Sequence, residues 1–225
     1  MSGYVLTVRP QPGLAATMAA GEALGLNMIG YPLFEVQARD WDCPDPAGID
    51  ALLIGSANAI RHGGEGLAKL PDKPVYAVGE ATAYAAREAG FAVASCGTGG
   101  LQKVLDTIAA PARLLRIAGA DHVPLDPPAG VSMTKVIAYE SVPMELPEPL
   151  RPLHDMGLTV VLHSAAAARQ FASESRRLGL ERSRIALALI GPRLVEPAGT
   201  GWRAIHVSPA PNDQALLEMV REMCI

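Results

Sequence analysis

Short apolar runs alternate with helical patterns along almost the whole chain of 225 residues. Runs of this kind are typical of strands that a parallel sheet buries on both faces. They lie at Tyr4–Val8, Asn27–Val36 (interrupted at Pro32), Ala51–Ile54, Val75–Val78, Ala92–Ser95, Leu114–Ile117, Val131–Val142, Thr159–Leu162, Ile185–Ile190 and Ala204–Val207. Because helical patterns separate most of these runs, the sequence predicts an α/β fold with parallel sheets.

The two halves of the chain resemble each other at a nearly constant offset. "LLIGSANAI" at 52–60 aligns with "VVLHSAAAA" at 160–168, so Ser164 follows Ser56 by 108 residues. Three further pairs align in the same way: "VYAVGEATA" with "LALIGPRLV", "VLTVRP" with "LLRIAG", and "IGYPLFEV" with "VIAYESVP", at offsets of 112, 109 and 107 residues. The offsets indicate two copies of one βα array. The alternative, that any two parallel α/β regions look alike, stays open at this point.

A duplicated array predicts two lobes with a cleft between them. The segments "YPLFEV" and "YESVPME" are both extended and both contain Pro, which indicates a pair of antiparallel crossings that would act as a hinge. We therefore expect a first, discontinuous lobe from residues 1–35 plus 143–225, and a second lobe from residues 36–142 that includes the crossing segments.

Small and polar residues follow the predicted strands, at the end where parallel sheets bind ligands. They are Ser56-Ala57-Asn58, Gly79-Glu80-Ala81-Thr82, Gly97-Thr98-Gly99-Gly100, Gly119-Ala120-Asp121, Ser164-Ala165-Ala166 and Gly191-Pro192-Arg193. We expect each junction to begin a helix, whose first N–H groups could bind an anion. The alternative is that Ser56, Ser164 and Thr82 only cap helices.

Charge and composition argue against several classes of protein. A net charge of −4 and an aromatic content of 4% do not favour a nucleic-acid-binding surface. No apolar run is long enough to span a bilayer, and the N-terminus does not resemble a secretory signal. Cys43, Cys96 and Cys224 are far apart and form no CxxC pair, which indicates reduced thiols in a cytoplasmic protein.

Motifs for cofactors, metals and covalent catalysis do not occur. The chain contains neither a dinucleotide-binding nor a phosphate-binding glycine loop, and no G-x-S-x-G. The histidines show no metal-ligand spacing. His163 precedes Ser164, but neighbouring strand residues point to opposite faces, so a buried or capped histidine is the better interpretation. We expect no cofactor and no metal.

The order and spacing of these segments resemble the uroporphyrinogen-III synthase family over nearly the whole chain. The resemblance depends on "VLTVRP", "GYPLFEV", "DALLIGSANAIRH", "VYAVGEATAYAAREAGF", "YES", "VVLHSAAAARQF" and "IALALIGPRLVEPAGTGW". It implies two flavodoxin-like α/β lobes joined by two extended crossings. It also implies a cofactor-free lyase that closes hydroxymethylbilane, a linear tetrapyrrole rich in carboxylates, with inversion of ring D through a spiro intermediate. We also expect a cytoplasmic monomer that contacts the preceding pathway enzyme transiently. We expect it to bind neither nucleic acid nor membrane.

The resemblance also implies roles for individual residues. Tyr139 would assist departure of the substrate's terminal hydroxyl or position the bilane. The expected substrate-binding residues are Ser56, Asn58, Ala59, Gly79, Ala81, Thr82, Gly119, Ser164, Gly191 and Arg193.

Four positions depart from the family pattern. Gly55 replaces the usual Thr, Ala165 a frequent Pro, Arg193 a nearby Thr, and Ala118 a frequent Arg. Three alternatives therefore stay open: a regulatory protein of the same fold that binds an anionic metabolite without turnover, an inactive paralogue, and a nucleotide- or flavin-binding α/β enzyme.

Overall fold

The structure is a computed structural model that describes residues 3–148 and 157–223. The described strands are β1 (Tyr4–Thr7), β2 (Asn27–Gly30), β3 (Phe34–Ala38), β4 (Ala51–Ile54), β5 (Val75–Val78), β6 (Val93–Gly97), β7 (Ala112–Gly119), β8 (Val131–Pro143), β9 (Leu158–Leu162), β10 (Ile185–Leu189) and β11 (Ala204–Val207). The described α-helices are α1 (Gly13–Ala23), α2 (Ala57–Arg61), α3 (Gly64–Ala68), α4 (Glu80–Glu88), α5 (Leu101–Leu105), α6 (Ala165–Arg177), α7 (Val195–Ala198) and α8 (Asp213–Met223).

The chain divides into two compact units. The first combines Met1–Glu35 with Val142–Ile225, and the second is Val36–Ser141. The sheet of the first unit has the order β11-β10-β9-β1-β2, and each of its strand pairs is parallel. All residues of β9 and β10 are buried, because helices cover both faces of the sheet. One face packs around Phe171 of α6, which stacks on Trp202 with ring centroids 5.5 Å apart.

A six-stranded sheet forms the second unit, in the order β3-β8-β7-β4-β5-β6. The pairs β7–β8, β7–β4, β4–β5 and β5–β6 are parallel. The expected α/β fold with parallel sheets is therefore confirmed. The edge strand β3 differs: the Met144 amide donates to the Leu33 carbonyl and the Arg39 amide to the Ala138 carbonyl, so the paired residue numbers run in opposite directions, as in antiparallel strands.

One expectation about the strand ends is wrong. Gly119-Ala120-Asp121 does not begin a helix, because an irregular segment follows β7 as far as Gly130. Pro124, Pro127 and Pro128 lie in that segment, and proline both lacks the amide that a helix needs and disfavours the helical conformation of the residue before it. The next regular element is therefore β8.

Three further observations concern the described part of the chain. No helix within it is long and apolar enough to cross a membrane. It contains no group of three or more His, Cys, Asp or Glu side chains that could hold a metal ion. Cys43 and Cys96 are free thiols, and Cys224 lies outside the described residues.

A polar network connects four elements of the first unit. The Asp213 carboxylate at the start of α8 accepts hydrogen bonds from Arg9 Nη1 at 2.6 Å and from Thr17 Oγ1 at 2.8 Å. His163 Nε2, just after β9, lies 2.5 Å from the other carboxylate oxygen. Burial raises the pKa of Asp213, but the bonds from His163 and Thr17, with the charges of His163 and Arg9, offset this and hold the pKa at about 2.

This network makes stability depend on pH in the acid range. The folded-state pKa of Asp213 lies below its ordinary value of 3.8, so the stabilisation is fully present above that value and is lost as the pH falls towards about 2. We expect Asp213→Asn to lower the free energy of unfolding at pH 7 by about 2 kcal/mol, and this difference to shrink between about pH 4 and pH 2. Urea titrations of both proteins at several pH values measure it, and a difference independent of pH would contradict the assignment.

Candidate active site

A pocket of about 460 Å³ lies in the second unit, at the carboxyl ends of its parallel strands. Gly55 and Ser56 line it after β4, and Gly119 lines it at the end of β7. Tyr139 of β8 and the segment from Asp121 to Leu125 complete much of the wall. The pocket therefore brings together three residues that the sequence predicts for the site: Ser56, Gly119 and Tyr139.

The ring of Tyr139 packs directly against the backbone of Gly119. These residues are register partners in neighbouring strands, next to an irregularity after Ala118. A Cβ atom built on Gly119 would lie 2.6 Å from Tyr139 Cε2, 2.7 Å from Cζ and 3.0 Å from the phenol oxygen. Because a rigid ring cannot yield as a flexible chain end can, only glycine fits here. The His62 ring also lies near Tyr139, with centroids 6.4 Å apart.

His122 ties the segment after β7 to the strand. Its Nε2 lies 2.7 Å from Lys135 Nζ, and its Nδ1 lies 2.9 Å from the Gly119 carbonyl oxygen. Since an ammonium group only donates, Nε2 accepts and Nδ1 carries the proton that it donates to Gly119. The arrangement holds the Gly119 carbonyl, and with it the wall beside Tyr139.

Arg116 is the residue of this pocket that the sequence analysis missed. It belongs to β7, has only 5% of its surface exposed, and lines the pocket. Its Nη2 donates to the Val123 carbonyl at 2.7 Å, while its Nε is buried without a hydrogen-bond partner among the described residues. Burial lowers the pKa of the Arg116 guanidinium. The available signal was a charged residue within the apolar run Leu114–Ile117.

Ser56 combines a structural position with a place in the pocket. It is the N-cap of α2, and its Oγ accepts a hydrogen bond from the Asn58 amide at 3.2 Å. The capping interpretation is therefore correct for Ser56, and the residue lines the pocket as well.

Five other predicted residues of this unit do not line this pocket. Asn58 and Ala59 belong to α2, and Ala59 is fully buried. Gly79, with a φ of 80°, begins α4, where Ala81 is exposed and Thr82 is only 4% exposed. The left-handed backbone explains why glycine stands between β5 and α4. The buried position gives the Thr82 side chain little access to a ligand in this structure.

The predicted residues of the first unit lie at the ends of neighbouring strands. Ser164 follows β9 and caps α6, with its Oγ accepting from the Ala167 amide at 3.1 Å. Gly191 follows β10, and Arg193 is exposed in the turn Pro192–Leu194. Because β9 and β10 are parallel partners, the three residues lie along one edge of this sheet.

Comparison with known proteins agrees with this architecture. The family model described as "Uroporphyrinogen-III synthase HemD" matches residues 15–218. The chain belongs to the uroporphyrinogen-III synthase family. None of the curated proteins compared with the chain matches it.

Solved structures of uroporphyrinogen-III synthases share the fold. The enzyme from Helicobacter pylori 26695 has a TM-score of 0.65 and 16% identity, with 99% of this chain and 100% of that chain covered. A mutant enzyme from the extremely thermophilic bacterium Thermus thermophilus has a TM-score of 0.51 and 15% identity, with 98% of each chain covered. At these identities the likeness concerns the uroporphyrinogen-III synthase fold and not individual contacts.

The contact between Gly119 and Tyr139 gives a prediction about stability for this member of the uroporphyrinogen-III synthase family. We expect Gly119→Ala to lower the free energy of unfolding by about 1–3 kcal/mol, because the added Cβ overlaps the ring. In a Tyr139→Ala background the same change should cost much less, since the overlapping atoms are gone. Urea unfolding of the four proteins gives the coupling energy.

Gly48→Ala is the matched control for this cycle. A Cβ at Gly48 meets no atom within 4 Å, so the substitution should leave stability nearly unchanged. If Gly119→Ala lowered the free energy of unfolding equally in both backgrounds, the Tyr139 ring would not be what excludes a Cβ atom at position 119.

Proposed function

We propose that this chain is a uroporphyrinogen-III synthase. It would close hydroxymethylbilane to uroporphyrinogen III with inversion of ring D through a spiro intermediate, as a hydro-lyase that uses neither cofactor nor metal. The observation that carries the proposal is the half-buried Tyr139 of β8, fixed against Gly119 at the carboxyl end of β7 in a pocket of about 460 Å³. Family membership supports it independently.

Tyr139 is proposed to assist the first chemical step. When the C–O bond to the terminal hydroxyl of the bilane breaks, the departing oxygen gains negative charge. The Tyr139 phenol can donate a hydrogen bond to that oxygen, which leaves as water once it has taken up a proton from solvent; the final ring closure releases one proton in return. The resulting azafulvene cation is then attacked by the substituted carbon of ring D, within the same molecule.

Positioning would account for most of the remaining catalysis. Both reacting ends belong to one substrate, so the protein must hold the bilane in the conformation that leads to the spiro intermediate rather than to direct closure. Such a role needs shape and hydrogen bonds rather than a nucleophile. Small residues at the strand ends, such as Gly55, Ser56 and Gly119, let a ligand approach the backbone closely.

The other predicted residues keep proposed roles of different kinds. The residues in and before α2 and α4 would bind substrate through backbone groups or would support the strand ends. They are Asn58, Ala59, Gly79, Ala81 and Thr82. Substrate binding by Ser164, Gly191 and Arg193, which lie at the strand ends of the first unit, stays a prediction. We further propose a cytoplasmic monomer that takes its unstable substrate through transient contact with the preceding enzyme, without nucleic acid or membrane as partner.

An isomer assay tests the function. Hydroxymethylbilane is generated in situ from porphobilinogen with its deaminase, this protein is added, and the oxidised uroporphyrins are separated by chromatography. We expect mainly the type III isomer. Type I alone, from protein shown to be folded by circular dichroism, would reject turnover and favour a protein that binds an anionic metabolite without converting it.

The role of Tyr139 can be tested in the same assay. We expect Tyr139→Phe to lower kcat about tenfold or more with little change in melting temperature, because only the hydrogen-bond donor is removed. Tyr84→Phe is the matched control, since Tyr84 lies on the exposed face of α4 with 62% of its surface accessible. If both variants formed type III product at the wild-type rate, the Tyr139 phenol would have no part in the reaction.

A further inference from the structure

Arg116 is a buried cation without a buried anion beside it. Only 5% of its surface is exposed, and no ion pair joins it to an acidic side chain among the described residues. Burial lowers the pKa of the Arg116 guanidinium, and the electrostatic interaction with the Tyr139 phenol offsets part of this shift. A charge removed from water without a partner is strongly unfavourable, so this arrangement needs an explanation.

Other arginines of the chain show the usual solution. Arg113 is on the same strand, three residues earlier, and its Nη2 lies 2.7 Å from Asp50 Oδ1. Arg177 pairs with Glu174, with Nη2 and Oε2 2.7 Å apart. Both side chains are more exposed than Arg116, yet both have a carboxylate. The most deeply buried of these three guanidinium groups is thus the one that lacks a carboxylate.

A structural role explains only some of the hydrogen-bond donors of the Arg116 guanidinium. One N–H of Nη2 binds the Val123 carbonyl, which lies in the irregular segment after β7. This segment is also held at both sides of Val123: His122 binds the Gly119 carbonyl, and Asp126 exchanges two hydrogen bonds with Gln102, each 2.9 Å long. The contact with Arg116 is therefore not the only one that fixes the segment, and Nε remains without a partner among the described residues.

We propose that Arg116 binds a carboxylate of the ligand that occupies this pocket. This inference depends on the proposed function in one respect, namely that the ligand is a tetrapyrrole rich in carboxylates. A guanidinium presents a planar fork that matches the two oxygens of a carboxylate. A ligand carboxylate would supply the missing anion, either beside the Val123 carbonyl or in its place on the guanidinium. This contact would hold the bilane close to Tyr139.

Binding of uroporphyrin III, the stable oxidised product, tests the proposal without requiring turnover. Dissociation constants are measured by fluorescence titration at several salt concentrations for the wild type, Arg116→Met and Arg116→Lys. We expect Arg116→Met to weaken binding at least about tenfold and to flatten the salt dependence, because a charge-assisted hydrogen bond is lost. Arg116→Lys keeps the charge but not the fork and should recover part of the affinity.

Arg113→Met is the matched control. It removes a charge from the same strand at an exposed position that does not line the pocket, so binding should stay within about twofold of the wild type. A structural role for Arg116 is separated by melting curves of the ligand-free proteins. We expect Arg116→Met to melt no lower than the wild type, since it replaces an unpaired buried charge by an apolar side chain of similar length.

The outcomes for Arg116 and for the synthase activity are distinguishable. Wild-type protein that makes only type I product but binds uroporphyrin III through Arg116 would reject the synthase and support the carboxylate site. Type III product with unchanged uroporphyrin III binding and unchanged KM in Arg116→Met would support the synthase and overturn the role of Arg116. If neither Arg116 variant folds, or if the wild type does not bind uroporphyrin III, the proposal is also wrong.

Discussion

The central strands of both sheets are buried on both faces, and this constraint determines where polar chemistry can occur. Every residue of β4, β9 and β10 is buried, so hydration and hydrogen bonding of side chains are confined to the strand ends. Ser56 and Ser164 stand at two such ends, each two residues after its strand, β4 or β9. A charged residue within a strand is then costly unless a partner compensates it, which makes Arg116 of β7 the exception that needs a function.

Much of the fold could be predicted because parallel strands carry a strong local signal. The apolar runs at Ala51–Ile54 and Val75–Val78 coincide with β4 and β5, since a strand covered on both faces must be apolar throughout. The candidate site was less predictable because it depends on contacts between distant residues. The contact of Tyr139 with Gly119 joins two strands. No local sequence pattern indicates which side chain packs where Gly119 lacks a Cβ atom. The strand-end pattern also predicts a helix after Gly119, but Pro124 and its neighbours prevent one.

The two sheets use their strand ends differently. In the second unit, the ends of β4 and β7 and Tyr139 of β8 line an open pocket, where Arg116 has no ion-pair partner among the described residues. In the first unit, His163 after β9 lies against Asp213, and Arg9 after β1 binds the same carboxylate. There the Asp213 carboxylate already has partners within the protein, so His163 stabilises the fold and is not a free ligand-binding group.

A net charge of −4 raises the question of how such a protein could retain a polyanion. Overall attraction does not help, and α2 and α5 have only five residues each, so their helix dipoles offer little. Local burial changes the balance: charges on the surface are screened over about 10 Å at 0.1 M salt, whereas a desolvated guanidinium interacts with a nearby carboxylate in a medium of lower effective dielectric constant. One such contact beside Tyr139 would also fix which end of a flexible chain lies near the phenol. Recognition by a single buried cation therefore selects an orientation, which is what a reaction decided by substrate conformation requires.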